Sequence, residues 1–195
     1  MKSLFYLLLL SGIPFQTSYL KINESGEVIT ANEELDAEIQ TRIKANEEYY
    51  YDIARKNQEY HMIIRKITDR KPELVFSGGA SVGKADTAEI NKRRKEWMEL
   101  CNAHNASTLV NEMYAKEALY YNHKPLIRGR EALAKEYSYM NREKYHLRLN
   151  PQTVTPVNEK LVFEIGQCSG SYRGKYIIIW GKEKGSWNIL FDSNI

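Results

Sequence analysis

The chain reads as an α+β protein, and three observations carry that reading. Apolar residues from Ile39 to Ile67 recur at steps of four and three. A second helical stripe runs through Ile90, Trp97, Cys101 and His104. Beyond Tyr145 the pattern changes to period two. Helices followed by consecutive strands mark an α+β fold and not the alternation of a parallel α/β sheet.

The first element is a targeting segment. Met1-Lys2-Ser3 gives a short positive start, Leu4 to Leu10 is apolar, and Ser11, Gly12 and Pro14 break the run. That run is too short to span ~30 Å of hydrocarbon as a helix and suits a signal peptide over 1–18. The expectation is an exported protein, periplasmic or secreted, with no membrane attachment after signal removal.

Thr30-Ala31-Asn32-Glu33 fits a capping box and opens a long helix over 31–70. Its seam is Ile39, Ile43, Tyr50, Ile53, Tyr60, Ile64 and Ile67, with Asn46 and Asn57 on the same stripe. This suits a short coiled coil or a single amphipathic helix lying on its own domain. Residues 19–90 would then be a helical extension and linker, and 91–195 the main domain.

In Leu74 to Asp86, Gly78, Gly83 and Lys84 match the phosphate-loop spacing G-x-x-x-x-G-K. The next residue is Ala85, where Mg²⁺ binding needs Ser or Thr, and no parallel sheet follows. Nucleotide binding is therefore rejected. The blocks Leu74-Val75-Phe76 through Gly83-Lys84 and Leu119-Tyr120-Tyr121 through Gly129-Arg130 share strand, turn and helix start, which reads either as a decayed copy of the second block in the first or, the safer reading, as reuse of the same turn chemistry.

Asp86-Thr87-Ala88-Glu89 is a second capping box, opening a helix to about Ala103. Ser107 caps a short helix through Leu109, Val110 and Tyr114. A strand at 118–122 precedes a helix from Arg130 that carries Ala132, Leu133 and Tyr137. Strands follow at 145–149, 154–157 and 160–172, with Gly166 and Gly170 at bends. A hairpin joins 175–182 to 186–192 across Glu183-Lys184-Gly185.

Charge excludes one function class. There are 28 basic and 25 acidic residues, interspersed, and Arg93-Arg94-Lys95 reads as a solvated helix face. No basic stripe supports nucleic-acid binding. Cys101 and Cys168 read as buried free thiols, and their spacing to the four histidines fits no zinc pattern, so neither metal nor cofactor is expected.

From about Lys95 onward the chain resembles the SnoaL-like, ketosteroid-isomerase-like family with the nuclear transport factor two cone fold. The resemblance rests on "WMELCNAHNASTLVNEMYAKEALYYN", "IRGREAL" and "FEIGQCSGSYRGKYIIIWGKEKGSWNILFDSNI", in that order. It implies a strongly bent antiparallel sheet packed on helices, a conical pocket and frequent homodimers. Isomerase chemistry of the ketosteroid kind needs an Asp base and an oxyanion hole of Tyr and protonated Asp. Related sequences carry Asp where "AHNAS" has Asn105, and Asn cannot act as a base.

Strand parity puts Tyr176, Ile178 and Trp180 on one face, and Asn188, Leu190 and Asp192 on another. With Trp97, Cys101, Asn105, Tyr114, Tyr120 and Tyr121 these would line an aromatic pocket holding a few polar groups. His104 and Asp192 are the candidate proton-transfer groups. Glu164 is a further one, with a solvent-facing position as its plainer reading. The leading expectation is a protein that binds a small apolar or amphipathic ligand, with or without turnover. An isomerase, cyclase or hydrolase is the second, and an assembly module acting through the 31–70 helix is the third.

Overall fold

Among the described residues from Tyr19 to Ser81 the regular elements are all strands: β1 (Tyr19–Ile22), β2 (Val28–Ala31), β3 (Glu38–Lys44), β4 (Tyr49–Lys56), β5 (Glu59–Lys66) and β6 (Glu73–Ser81). Then come α1 (Ala88–Asn102), α2 (Ala106–Met113), β7 (Tyr114–Tyr121), β8 (Ile127–Arg128), α3 (Arg130–Glu136) and a 3₁₀ turn (Tyr137–Asn141). The chain finishes with β9 (Leu147–Asn158), β10 (Leu161–Gly170), β11 (Lys175–Glu183) and β12 (Ser186–Ser193). The computed structural model describes residues 18–22, 28–69, 73–83, 87–122 and 125–195. The apolar run at 4–10, Pro72 (the expected stop of the 31–70 helix), Lys84, Ala85 and Asp86 lie outside the described residues.

The α+β class holds, but the long helix at 31–70 does not. Its seam is built from Ile and Tyr, residues that suit a pleated, half-buried surface better than a helix. They also satisfy period two: Tyr51 and Ile53 share one face of β4 and are fully buried. Both asparagines of the supposed seam make turns. Asn57 adopts φ +54° in the tight turn between paired Lys56 and Glu59, a conformation Asn tolerates. Asn46 accepts a hydrogen bond from the Glu48 N–H at 2.7 Å, closing the β3–β4 connection. Thr30 and Ala31, read as a helix start, belong to β2. The assembly role that depended on this helix falls with it.

The strands form two six-stranded sheets, ordered β2-β1-β6-β5-β4-β3 and β8-β7-β12-β11-β10-β9. In each, one parallel pair (β1–β6, β7–β12) lies among antiparallel neighbours. The expected strands at 145–149 and 154–157 are one strand, β9, which tolerates Pro151 and Pro156 because it lies at a sheet edge. The hairpin across Glu183-Lys184-Gly185 forms as expected, with positive φ at Lys184 and Gly185.

Helices α1, α2 and α3 cover one face of the second sheet, and the first sheet covers the other. Tyr51, Ile53, Met62 and Ile64 of the first sheet share a core with Phe163, Ile165, Ile177 and Ile179 of the second. Phe76 and Phe191 stack across this interface with ring centroids 4.0 Å apart and planes 11° apart. The Tyr51 hydroxyl accepts the Ile195 N–H at 2.9 Å.

Strands β2 and β3 occupy opposite edges of the first sheet, so residues 32–37 must cross it. The Lys21 Nζ–Glu33 Oε1 contact at 2.7 Å ties this crossing down. In the second sheet α3 and the 3₁₀ turn make the corresponding crossing.

Gly78 and Gly79, within the phosphate-loop match, sit inside β6. A Cβ at Gly79 would lie 2.4 Å from His61 Nδ1, and one at Gly78 would lie 2.8 Å from Ile179 Cδ1. Close packing on both faces of the strand requires these glycines. The two blocks compared above also separate: 74–76 lies in β6 and 119–121 in β7, strands with different neighbours.

Replacing Phe76 by Ala should destabilise the protein by about 3–5 kcal/mol, because it empties a stacked site between two sheets. Urea unfolding of F76A against the parent, with unchanged m-value, measures this.

Candidate functional site

The interior of the second sheet's curve is organised by two buried carboxylates, Glu164 on β10 and Asp192 on β12. They have opposite environments. Glu164 is fully buried and accepts four side-chain hydrogen bonds. Arg94 Nε (2.6 Å) and Tyr176 Oη (2.7 Å) donate to Oε1, while Arg94 Nη2 and Trp180 Nε1 (both 2.8 Å) donate to Oε2. Neither the solvent-facing reading of Glu164 nor the solvated reading of Arg94 survives. Arg94 lies on the buried stripe of α1, four residues after Ile90 and three before Trp97. A Cβ at Gly166 would lie 2.4 Å from the Tyr176 hydroxyl, so glycine there makes room for the ring.

Among the described residues no guanidinium is bonded to Asp192. The hydroxyls of Tyr137 (2.6 Å) and Tyr114 (2.8 Å) both donate to Oδ2, and Trp97 Nε1 donates to the Tyr114 oxygen at 3.0 Å. Burial pushes the Asp192 carboxyl up to about 6, against the lowering effect of the bonds from Tyr137 and Tyr114. The same burial, reinforced by the Asp192 charge, raises both tyrosine hydroxyls well above their ordinary value.

Local structure explains how these groups meet. Tyr114 ends α2 and starts β7, and Arg130 grips its carbonyl through Nε (2.8 Å) and Nη2 (2.6 Å). Arg130 is the first residue of α3, set by Gly129 at φ +83° with its N–H on the Ala118 carbonyl. The "IRGREAL" motif therefore positions a tyrosine. Tyr137 follows in the 3₁₀ turn and meets Tyr120 edge-on at 5.2 Å.

A cavity of about 20 Å³ lies against Asp192, lined by Trp97, Tyr137, Met140, Leu147, Leu149, Cys168, Tyr176, Ile178 and Asn194. That is room for roughly one water molecule. Trp97 and Tyr176 line it, and Trp180 lies fully buried in the same core, holding Glu164. Cys101 packs in that core with its thiol 3.8 Å from the Met140 sulfur, and Tyr120 reaches Asn194 through its hydroxyl. Both cysteines are free and buried, and burial pushes each thiol up to about 12.

Four expected site residues lie elsewhere. His104 sits at the α1–α2 corner at φ +58°, its Nδ1 3.3 Å from the Met140 carbonyl, away from the cavity lining. Asn105 caps α2, accepting the Thr108 N–H at 3.0 Å, and takes the cap position expected of Ser107. Tyr121 packs toward the first sheet because it alternates with Tyr120. Asn188 stands near the hairpin, its amide 3.4 Å from the Ser186 carbonyl. A register shift between Ile179 and Trp180 breaks the parity that would have aligned Asn188 with Asp192. Sequence reading missed Tyr137 as a site residue, although its place four residues after Leu133 on the helix from Arg130 was visible. It also missed Arg94 and Met140.

Neither a family model nor a curated protein matches the chain. Solved structures do. An NTF-2-like protein of unknown function from Shewanella oneidensis MR-1 is 14% identical, matching 55% of this chain and 97% of its own length at a TM-score of 0.50. An NTF2-like protein of unknown function from Pseudomonas putida KT2440 is 13% identical over 57% of this chain and 88% of its own, at 0.46. A domain of unknown function with a cystatin-like fold from Nostoc punctiforme PCC 73102 is 14% identical over 56% and 75%, at 0.45. The likeness to the Shewanella protein, together with the topology above, shows a nuclear transport factor two-like fold in this chain.

Replacing Arg94 by Met leaves the Glu164 charge buried without its ion partner and should cost about 3–5 kcal/mol. The double variant Arg94→Met/Glu164→Gln should recover part of that loss in the same unfolding assay. Asp192 should act in the opposite sense to an ion-paired carboxylate. Its folded value, about 6, lies above the ordinary 3.8, so the native state binds the extra proton. Its burial penalty is absent below pH 3.8, grows as pH rises through that window, and is complete above about 6, reaching about 3 kcal/mol. Stability measured at pH 4 and 7 should therefore fall less with rising pH in Asp192→Asn than in the parent.

Proposed function

We propose that this chain is a small-ligand-binding protein whose site is the cavity beside Asp192. The observation that carries this reading is the cavity placed against Asp192, walled by aromatic rings and thioether and aliphatic side chains. A buried carboxylate with hydroxyl donors on one oxygen suits a ligand that offers its own N–H or O–H donor on a mostly apolar body. At about 20 Å³ the cavity is far below a drug-sized pocket, so a ligand larger than one water must displace side chains. Met140 is the flexible wall, with three rotatable bonds and a partner sulfur in Cys101.

Binding is favoured over turnover because one titratable carboxyl serves the cavity. Glu164 already accepts four donors, His104 stands outside, and Asn105 is a helix cap. A second reading rests on the Asp192 carboxyl at about 6, close to the range of a working general acid–base. On that reading a small apolar substrate would exchange a proton with Asp192, with Tyr137 as its hydrogen-bonded neighbour. Export belongs to the same proposal and rests on the 4–10 run with its positive start. Intact mass of the protein from its own source tests it by showing removal of about residues 1–18.

Native mass spectrometry of that preparation should reveal a retained small molecule. Phenol and benzene, as a matched pair of probes, should differ: phenol should raise the melting temperature, and Asp192→Asn should weaken phenol binding by about tenfold to a hundredfold. Equal effects of the two probes, or none, with no retained molecule, would refute the site. Turnover with a pH–rate profile that breaks near 6 and is lost in Asp192→Asn would favour the second reading.

A further inference from the structure

We infer that the chain is two copies of one cone sheet joined in a single polypeptide. The first copy has lost the site and serves as the built-in partner subunit of the second. The two sheets have the same strand order and the same sense at every pairing, so β1 to β6 correspond to β7 to β12 in turn. The correspondence extends to individual residues. Tyr51, Asp52 and Ile53 pair with Ile64, Ile63 and Met62, as Phe163, Glu164 and Ile165 pair with Ile179, Ile178 and Ile177. Those β5 residues face Phe76, Ser77 and Gly78, as the β11 residues face Phe191, Asp192 and Ser193. Phe76 and Ser77 in turn face Leu20 and Lys21 on the parallel strand, as Phe191 and Asp192 face Leu119 and Tyr120.

The sequence follows the register. Tyr-Asp-Ile at 51–53 stands for Phe-Glu-Ile at 163–165, and Met-Ile-Ile at 62–64 for Ile-Ile-Ile at 177–179. Val-Phe-Ser at 75–77 stands for Leu-Phe-Asp at 190–192. Continuing from Thr30, which pairs with Leu20, and Arg128, which pairs with Leu119, Ala-Asn-Glu-Glu-Leu at 31–35 stands for Gly-Arg-Glu-Ala-Leu at 129–133. Even the buried carboxylate recurs: Asp52 is fully buried and gripped by Arg42 through Nε and Nη2, both at 2.8 Å, as Glu164 is gripped by Arg94.

Equivalent residues also meet. Phe76 and Phe191 occupy the same register position in their sheets and stack on each other. Contact between equivalent residues marks an isologous, two-fold interface, the commonest kind between identical subunits. Here one chain supplies both sides. The first copy keeps the interface and drops the chemistry: Ser77 replaces Asp192, Lys21 replaces Tyr120, and the segment 32–37 replaces α3 and the tyrosine beyond it. The outer face of the cone sheet is thereby occupied within the chain, in place of the homodimer that the family resemblance implies.

Sedimentation velocity of the intact protein should give one species of a single chain, 22.7 kDa before any processing, at every concentration. A protease site inserted between residues 82 and 87, then cut, should leave the two pieces associated one to one at unchanged mass. Their urea midpoint should then depend on concentration, which it does not before cutting. A dimer of the intact chain overturns the proposal. So do pieces that part without denaturant, or second-half pieces that pair with each other. If the insertion itself prevents folding, as circular dichroism would show, the mass of the unmodified chain alone decides.

Discussion

The second sheet is apolar on both faces, and the rest of the architecture answers to that constraint. Along β11 every residue from Tyr176 to Gly181 is buried, so neither strand parity can be left to solvent. An antiparallel sheet usually offers one wet face. This one needs helices over Tyr176, Ile178 and Trp180 and another apolar layer over Ile177 and Ile179. The first sheet is that layer. Its presence explains why β4, β5 and β6 carry large inward side chains.

Double coverage has an electrostatic consequence. Polar groups on the helix-side face are removed from water, so each needs internal partners. Glu164 accepts four hydrogen bonds, two of them from one bidentate arginine, and acts as the joint between α1, β10 and β11. Asp192 has hydroxyl donors in place of a cation and keeps a carboxyl whose neutral form is within reach near neutral pH. Two carboxylates on neighbouring parts of one sheet are thus separated in role by their donors: one is held by an arginine, the other meets tyrosine hydroxyls beside a cavity.

The second half was largely legible in the sequence. Its glycine-set turns at 129 and 185, the α1 stripe and the long strands β10 to β12 each carry local signals that agree with the final fold. The candidate site was legible in part. Asp192, Trp97 and Tyr176, named from parity and stripe, do meet around one cavity. Asn188 and Tyr121 were misplaced, the first because a register shift in β12 cannot be seen from alternation, the second because β7 was read without its partner. Arg94 was hidden by its neighbours Arg93 and Lys95, which do face solvent or surface acids, as Arg93 does with Glu96 at 2.5 Å. The first half was misread because Ile and Tyr at mixed spacing satisfy two periods at once. Asn46 and Asn57 broke the tie in the structure by taking turn conformations.

By itself the sequence determined the α+β class, the hairpin and turn positions of the second half, and a core rich in aromatic residues. These follow from local chemistry: backbone conformations that glycine and asparagine permit, and periodicities that one element imposes. Tertiary structure alone decided that residues 38–66 are strands, that Glu164 and Arg94 are buried together, and that Tyr114 and Tyr137 converge on one oxygen of Asp192. Those outcomes depend on what lies across a face from each residue, and contacts between segments far apart in the chain leave no periodic trace in either one.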